Sequence, residues 1–398
     1  MKVLQICHKF PFPPNDGGTL ATYQLTKAMI EMGWSVKILS ISTPKHPFVE
    51  MPVDPIYNKS QPEHIALDTT PKPMELLKGL WSENNYIVSR FNDEKFASVI
   101  SNNLDQNEYD LIVFEGTYTA VYVDLVKKKS KAITLMRSHN VEFQLWEDRL
   151  FAEPSSFKRF VLKSSVKQLK DFELSELKKF DVVATISMND KAYFNSYFGL
   201  NKTIYVPFGI SLPDETVVID DDAENKIVFL GALDWEPNLI GLNWFLKEVW
   251  PLIRERNSKM EFHIGGRNAL PDFDKSLPEG VIFKGEIPDA HSFLLTGKLM
   301  VVPLFEASGI RIKIIEGLAL GQVIATTTKG AQGIPSQNGK DIIIADTPKQ
   351  MAREIVDVMK SKDQYSSISR QSRILAEKEF DITNTQKALL KMINVFKK

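Results

Sequence analysis

The sequence has little cysteine, no long apolar run and almost no net charge, and each shortage excludes a class of protein. The single cysteine, Cys7, excludes an internal disulfide framework and fits a reducing compartment. No run reaches the roughly 18 apolar residues of a membrane-spanning helix. The 49 basic and 50 acidic residues leave a formal net charge of −1, so we expect no binding to nucleic acid. The first residues lack the apolar region and cleavage site of a signal peptide, so we expect a cytoplasmic protein.

Motifs of several enzyme classes are also missing. The histidines show no metal-ligand spacing, and with one cysteine a zinc site is not expected. The triplet Asp220-Asp221-Asp222 is similar to a divalent-metal motif, but we interpret it as a solvated acidic run in a linker. The sequence has no Gly-Lys-Ser/Thr phosphate loop and no Gly-x-Ser-x-Gly turn. We therefore expect neither a bound metal nor a cofactor.

A chain of 398 residues is too long for one ordinary core, so two domains are expected. Short apolar runs alternate with helical stretches, which indicates α/β domains with parallel sheets. The predicted strands are residues 2–7, 35–41, 111–115, 132–137, 182–187, 226–230, 260–264, 281–284, 299–303, 323–326 and 341–344. The predicted helices include residues 18–32, 239–254, 309–320 and 348–361. Residues 203–222 interrupt the pattern as an interdomain linker would, which predicts two doubly wound halves with a cleft between them.

The most informative segment begins at Ser308, which we predict to be the N-cap of a helix with Gly309 in its first turn. Arg311 and Lys313 then place two cations where the helix dipole already carries partial positive charge. That arrangement is unfavourable unless an anion binds, so the segment predicts a phosphate site. Glu316 shares the face of Lys313 one turn further on, where its carboxylate can accept hydrogen bonds from a ribose. The alternative is a surface helix start with a Lys–Glu pair.

Other candidate residues follow predicted strands, at the edge where open α/β sheets bind ligands. Gly17 and Gly18 open a helix after the first strand, where the backbone can approach a phosphate. Gly231 follows the first strand of the second half, and Arg267 follows a Gly-Gly pair after the next strand. His139 ends an apolar run in a polar loop, where it is well placed for chemistry. A structural role for His139, such as capping the next helix, is equally compatible with the sequence.

Two further segments concern an acceptor. Residues 157–179 form a helical stretch rich in lysine and interleaved with acidic residues, which is typical of a solvated helix face. The alternative is contact with an anionic or lipid-linked acceptor at a membrane surface. Residues 74–96 are apolar and aromatic, which favours core packing over an apolar wall for an acceptor.

Over nearly its whole length the chain resembles the GT-B-fold glycosyltransferases of family 4. The segments that carry the resemblance are Gly17-Gly18, His139-Asn-Val-Glu142, Val206-Pro-Phe-Gly-Ile210, Phe229-Leu-Gly-Ala-Leu-Asp-Trp-Glu-Pro-Asn238 and residues 308–321. The resemblance implies two Rossmann-like domains, an acceptor-binding domain at residues 1–206 and a nucleotide-sugar-binding domain at residues 207–383. It also implies that a last helix, within residues 384–398, packs back on the first domain.

The resemblance also implies roles for single residues. Relatives commonly have two glutamates separated by seven residues, and Glu316 matches the second, whose implied partner is the nucleotide ribose. Serine stands at the position of the first glutamate. A subgroup with the pattern Gly/Ser-Ser-Gly-x-Arg-x-Lys is the nearer match, and in it Ser308, Gly309 and nearby amides, such as that of Ile310, meet the donor. The basic pair that many relatives have after the glycine that matches Gly231 is absent, which leaves the diphosphate charge to the two cations after Gly309.

The implied function is that of a metal-independent, retaining hexosyltransferase. It would move a sugar from a nucleotide-diphosphate sugar to a glycan or lipid-linked acceptor, in cell-surface polysaccharide biosynthesis and with peripheral contact at the inner face of the membrane. Arg311, Lys313 and Glu316 would hold and stabilise the donor, and His139 would position sugar or acceptor hydroxyls. Two alternatives stay open: a sugar-nucleotide 2-epimerase on the same fold, and a non-catalytic nucleotide-sugar-binding subunit.

Overall fold

The structure is a computed structural model that describes residues 1–70, 85–199, 202–214, 225–306 and 309–396. The chain forms two compact units, the first of Met1–Gly209 and Ile382–Lys398, and the second of Ile210–Asp381. The predicted domain boundaries, after residues 206 and 383, lie three and two residues from these divisions.

The first unit is built on a seven-stranded sheet in which every neighbouring pair of strands is parallel. Its strand order is β3-β2-β1-β4-β5-β6-β7. The strands are β1 (Lys2–Cys7), β2 (Ser35–Ser42), β3 (Glu63–Ala66), β4 (Leu111–Glu115), β5 (Ile133–Ser138), β6 (Val182–Thr185) and β7 (Thr203–Tyr205). The helices before the second unit are α1 (Gly17–Glu31), α2 (Pro55–Ser60), α3 (Tyr86–Ser89), α4 (Glu94–Gln106), a 3₁₀ turn (Thr117–Tyr122), α5 (Val123–Lys129), α6 (Glu142–Ala152), α7 (Ser156–Leu177) and α8 (Met188–Phe198).

The second unit has a six-stranded parallel sheet of order β10-β9-β8-β11-β12-β13. Its strands are β8 (Lys226–Leu230), β9 (Glu261–Gly265), β10 (Val281–Phe283), β11 (Leu299–Val302), β12 (Val323–Thr326) and β13 (Ile343–Ile344). Its helices are α9 (Glu236–Trp244), a π turn (Phe245–Val249), α10 (Trp250–Arg256), a 3₁₀ turn (Phe273–Ser276), α11 (Ala290–Leu295), α12 (Ile312–Ala319), α13 (Thr328–Ala331), α14 (Pro348–Lys360) and α15 (Lys362–Phe380).

Strands β1, β2, β4, β5 and β6 of the first sheet are buried on both faces, which explains why they appear in the sequence as apolar runs, whereas the edge strands β3 and β7 are partly exposed. Along β1, Leu4 and Ile6 enter one apolar cluster, whereas Val3 and Cys7 enter the cluster on the opposite face. The chain returns to this second cluster at its end, because helix α16 (Ile382–Phe396) belongs to the first unit and buries apolar side chains there.

Four details differ from the sequence-based expectations. Strand β3 was not predicted, and β7 lies where the linker was expected to begin. The predicted helix at residues 239–254 is interrupted by the π turn, because Pro251 has no N–H to continue the hydrogen-bond ladder. The helix predicted to begin at Gly309 begins at Ile312. The acidic triplet 220–222, part of the segment 74–96 and Ser308 lie outside the described residues.

Candidate functional site

Each sheet has one place where consecutive strands leave in opposite directions, and α/β sheets bind ligands beyond the carboxyl ends of the strands there. In the first sheet this switch point lies between β1 and β4, and in the second it lies between β8 and β11. The predicted site residues lie at both switch points.

Lys313 occupies the switch point of the second unit. It lies in the first turn of α12, the helix that follows β11, and its ammonium reaches the end of β8. There Nζ donates to the carbonyl oxygen of Leu230 at 3.2 Å and to Oδ1 of Asn238 at 2.9 Å. The same ammonium lies 5.3 Å from the ring centroid of Phe229. The predicted cation is therefore held at the carboxyl edge by the neighbouring strand.

Charges near Lys313 are only partly balanced. Burial lowers the pKa of Arg311 to about 10. Burial also lowers the pKa of Lys313 to about 8, with a further lowering from Arg311 and an opposing effect of Glu316. Burial raises the pKa of Glu316 to about 7, although Lys313 acts in the other direction. At pH 7 both cations are mostly charged and the carboxyl group is partly protonated, so the cluster carries net positive charge.

The start of α12 differs from the prediction. Arg311, not Ser308, takes the N-cap position, and its carbonyl oxygen accepts from the amides of Ile314 and Ile315. Gly309 precedes the helix and has φ +70°. This left-handed conformation is not part of a right-handed helix, and it favours glycine. Among the described residues no side chain caps this helix, although Ser308 lies outside them. Arg311 thus stands at the N-cap and Lys313 in the first turn, one residue to either side of Ile312.

Gly231 leaves room for the ammonium at this point. A Cβ on Gly231 would lie 2.7 Å from Nδ2 of Asn238 and 3.1 Å from Nζ of Lys313. Ile310 is buried beside the same turn. Arg267 follows the end of β9, the strand on the other side of β8, and its side chain is half-buried. The structure therefore brings Gly231, Arg267 and the residues of the α12 start to one edge of one sheet.

His139 lies at the switch point of the first unit, bound to a carboxylate that the sequence analysis did not single out. Its Nε2 is 2.6 Å from Oε2 of Glu115, which ends β4. Glu115 is 1% exposed, and burial alone would raise its pKa; the hydrogen bond and charge of His139, together with Arg137 and Gln5, outweigh burial and lower the pKa. An ionised carboxylate can only accept hydrogen bonds, so Nε2 of His139 carries the proton in this contact. The other ring nitrogen, Nδ1, takes no part in the bond to Glu115.

Other side chains hold Glu115 in place. Nε2 of Gln5 donates to its Oε1 at 2.7 Å, and the hydroxyl of Thr22 lies 3.5 Å from its Oε2. Arg137 stands opposite Glu115 on the neighbouring strand β5, is 1% exposed, and contributes to the low pKa of the carboxyl group. His8 places Nδ1 2.7 Å from the carbonyl oxygen of Glu115. The carboxylate is thus a fixed support for His139 rather than a mobile surface group.

The amides after Gly17 are engaged by a carboxylate. Oδ1 of Asp16 accepts from the amides of Gly18 at 2.8 Å and Thr19 at 2.9 Å, so Asp16 caps α1. Lys9 pairs with Asp16 at 2.9 Å, and a Cβ on Gly18 would lie 2.5 Å from its ammonium. Although burial raises it, the pKa of Asp16 is held well below its usual range by His46 and Lys9. A donor phosphate at Gly17 and Gly18 would therefore compete with Asp16 for these amides.

Glu142, which belongs to the His139 segment, begins α6 among buried polar groups. The hydroxyl of Tyr118 donates to its Oε1 at 2.6 Å, and burial raises the pKa of Glu142. Glu173, from α7, accepts from the amides of Glu142 and Phe143 at 3.0 and 3.1 Å and so caps α6 from another helix. Burial raises the pKa of Glu173 to about 7.

The sequence contained a signal for Glu115 that could have been used. An ionisable residue ends the otherwise apolar run Leu111-Ile-Val-Phe-Glu115, at the edge where His139 was already placed. Asn238 had no comparable signal, because its contact with Lys313 joins residues that are distant in the sequence.

Parts of the sequence are similar to known proteins. Residues 224–361 match the family model described as glycosyl transferases group 1. A protein of Klebsiella pneumoniae, named an uncharacterized 44.6 kDa protein in the cps region, is 22% identical over 288 residues, covering 69% of this chain and 71% of that protein.

Solved structures share the whole architecture. Sucrose-phosphate synthase from Thermosynechococcus elongatus is 15% identical with a TM-score of 0.71, covering 99% of this chain and 98% of that one. HepE from Anabaena in complex with UDP-glucose is 13% identical with a TM-score of 0.64, covering both chains fully at 100%. A TarM variant from S. aureus in complex with fondaparinux, alpha-GlcNAc-glycerol and UDP is 11% identical with a TM-score of 0.68, covering 99% of each chain.

The predicted GT-B fold, with two Rossmann-like parallel-sheet domains, is confirmed by these likenesses and by the two sheets. The group 1 match and the structural neighbours support a GT-B glycosyltransferase. Among the described residues, none of the helices combines the length and apolar character that crossing a bilayer requires.

Proposed function

We propose that the protein is a retaining, metal-independent glycosyltransferase of family 4 that transfers a hexose from a nucleoside-diphosphate sugar to a glycan or lipid-linked acceptor. The observation that carries the proposal is the cation pair at the start of α12, buried Arg311 and half-buried Lys313, at the switch point of the domain that matches glycosyl transferases group 1. Neighbours with the same fold are in complex with UDP-glucose or with UDP and a GlcNAc-glycerol, which supports the donor class.

In the proposed reaction the bond from the sugar C1 to the β-phosphate oxygen breaks, and the acceptor hydroxyl oxygen forms a new bond to C1. Negative charge builds on the leaving nucleoside diphosphate, which takes up the hydroxyl proton. Arg311, Lys313 and the amides of the first helical turn stabilise that charge most in the transition state. The anion also restores the charge balance of the cluster and favours the protonated state of Lys313. Glu316, one turn deeper, accepts hydrogen bonds from the ribose, while Ser308, Gly309 and Ile310 meet the donor through hydroxyl and amide groups.

His139 acts on hydroxyl groups in this proposal. With Nε2 bound to Glu115, its Nδ1 is the atom that meets a hydroxyl of the sugar or acceptor. The acceptor is proposed to belong to cell-surface polysaccharide biosynthesis, which is supported by the relative named for the cps region.

The test combines donor binding with product analysis. Thermal shifts across nucleoside diphosphates and their sugars should identify one base and one sugar that stabilise the protein. The anomeric configuration of the product, determined by NMR, should match that of the donor, and EDTA should leave turnover unchanged. Arg311→Ala and Lys313→Ala should each lower turnover about 10²–10³-fold, by analogy with loss of one oxyanion-hole donor.

Arg353→Ala is the matched control, because Arg353 is an exposed cation of the same unit. Turnover of both site variants within threefold of the parent protein would contradict the charge argument. Formation of an epimerised donor in the absence of acceptor would identify the protein as an epimerase instead of a transferase.

A further inference from the structure

The hairpin formed by α6 and α7 exposes large apolar side chains next to basic ones. The chain has 24 phenylalanines, and among the side chains that the structure describes, the largely exposed ones are Phe151 at 82% and Phe160 at 70%. Phe151 lies at the end of α6 and Phe160 at the beginning of α7, so both flank the same turn. Exposed phenylalanines on both sides of one turn are unusual for a surface in contact with water alone.

Basic residues follow both rings on α7, whereas Glu147 and Asp148 precede Phe151 on α6. From Arg149 to Lys167 the sequence has five basic residues and one acidic residue, in a chain whose net charge is −1. On α7, Lys163 and Lys167 follow Phe160 at three and seven positions, which places them on the same face of the helix. Both lysines are exposed, whereas Val166, on another face, is buried against the unit.

The turn itself is held by a hydrogen bond between the two helices' ends. Nε and Nη2 of Arg159 donate to the carbonyl oxygen of Glu153 at 3.1 and 2.6 Å. Phe151 and Phe160 are therefore presented by a closed turn rather than by a loose terminus.

We propose that this hairpin tip, defined as Phe151, Lys158, Phe160, Lys163 and Lys167, docks on the surface of a membrane that contains anionic lipids. Phenylalanine rings enter the boundary between headgroups and acyl chains, while lysines are attracted to anionic headgroups. Charge complementarity selects the anionic bilayer, because a protein partner would have to supply both an acidic surface and an apolar cleft for two rings.

The position of the tip gives the docking a consequence for the acceptor. Helix α6 begins at Glu142, three residues after His139, and its 11 residues span about 16 Å. The hydroxyl of a lipid-linked acceptor that projects about this far from the headgroups would reach His139. This consequence depends on the proposed function, whereas docking does not.

The experiment measures co-sedimentation of the full-length protein with vesicles of phosphatidylcholine alone and of phosphatidylcholine with phosphatidylglycerol. We expect binding only to the anionic vesicles, weakened by salt. The double substitution Lys163→Glu and Lys167→Glu should lower binding roughly 25-fold or more, at about fivefold per charge removed. Phe151→Ser with Phe160→Ser should lower it by roughly tenfold or more.

Matched controls lie on α16 of the same unit. Lys387→Glu with Lys391→Glu changes two exposed lysines at the same four-residue spacing, and Leu390→Ser changes an exposed apolar residue. Both should bind vesicles within about twofold of the parent protein, since neither alters the tip. Circular dichroism melts check that every variant is folded.

The proposal is overturned if the parent protein ignores anionic vesicles, binds both vesicle types equally, or loses as much binding with the control pair as with the tip pair. Donor binding plays no part in this readout. A protein that binds anionic vesicles through the tip and turns over no nucleotide sugar would refute the proposed function and leave the docking surface intact.

Discussion

The pKa of Lys313 depends strongly on its surroundings. Burial and the charge of Arg311 lower its pKa from 10.5 to about 8, so its ammonium is lost within the range in which enzymes are assayed. In the unliganded protein this pKa shift makes the free energy of unfolding depend on pH, in a direction set by which state binds more protons. Between about pH 8 and 10.5 the unfolded chain holds a proton that the folded chain has released, so this group makes the folded state more stable as the pH rises.

The affinity for a diphosphate should depend on pH in the opposite direction to stability. The anion favours charged Lys313, so affinity for a nucleoside diphosphate should fall about tenfold between pH 7 and pH 9, with the change centred near the pKa of about 8. Calorimetric titration across this range measures the dependence. Lys313→Arg keeps the charge and should flatten the curve, and a curve of unchanged slope in that variant would show that another group titrates.

Glu115 supports His139 from a buried position, so its loss should resemble the loss of His139 itself. Glu115→Gln keeps the shape of the side chain but replaces one acceptor oxygen with a donor, so turnover should fall about 10²-fold through misplacement of the imidazole. The double variant with His139→Ala should be no slower than His139→Ala alone. Thr22→Val, which removes only the 3.5 Å contact, is the control. Multiplicative losses in the double variant would mean that the two residues act independently.

At the scale of elements, the segment before α12 decides where its amides and cations stand. Gly309 has φ +70°, and α12 starts three residues later. A helix that started at Gly309, as the sequence suggested, would turn Arg311 and Lys313 along the helix surface instead of placing them around its first turn.

Gly309→Ala should therefore affect binding as well as stability. A left-handed alanine costs about 1–2 kcal/mol, and the strain should also shift the start of α12 and weaken donor binding. Gly339→Ala is the matched control, because Gly339 has φ +75° with no atom within 4 Å of an added Cβ. Urea unfolding and donor titration separate the two effects. Equal donor affinity in both variants would show that the turn at Gly309 does not position the site.

For the molecule as a whole, the chain builds its first unit from both ends. The last helix, α16, adds Leu389, Met392 and Ile393 to the apolar cluster that includes Val3 of the first strand. The hydroxyl of Thr385 donates to the carbonyl oxygen of Pro207 at 2.8 Å, where the first pass through this unit ends. The second unit is thus an insertion between two parts of the first.

Truncation of Leu389 should therefore destabilise the first unit, although Leu389 lies only nine residues before Lys398. Leu389→Ala removes a fully buried side chain and should cost about 2–5 kcal/mol. Hydrogen exchange should accelerate in β1 and remain unchanged in β8. Leu390→Ala, whose side chain is 48% exposed, should change neither. Faster exchange in β8 alone would contradict the assignment of α16 to the first unit.

Sequence alone determined the two-domain, parallel α/β architecture, because both faces of the inner strands are buried and these strands therefore appear as apolar runs. Strands β1, β4, β8 and β12 have the predicted bounds. The cations near Gly309 were visible as charges at a helix start. The roles given to them and to His139 stay predictions.

Only the tertiary structure decided which groups hold those residues. Glu115 lies 24 positions from His139 and Asn238 lies 75 positions from Lys313, and such contacts depend on strand order rather than on local pattern. The start of α12 was also not predicted from the sequence. A left-handed glycine and an N-cap residue without a capping side chain have no sequence pattern that distinguishes them from a helical turn. Local periodicity encodes which face of an element is buried, whereas the partner on the next strand is chosen by packing of the entire sheet.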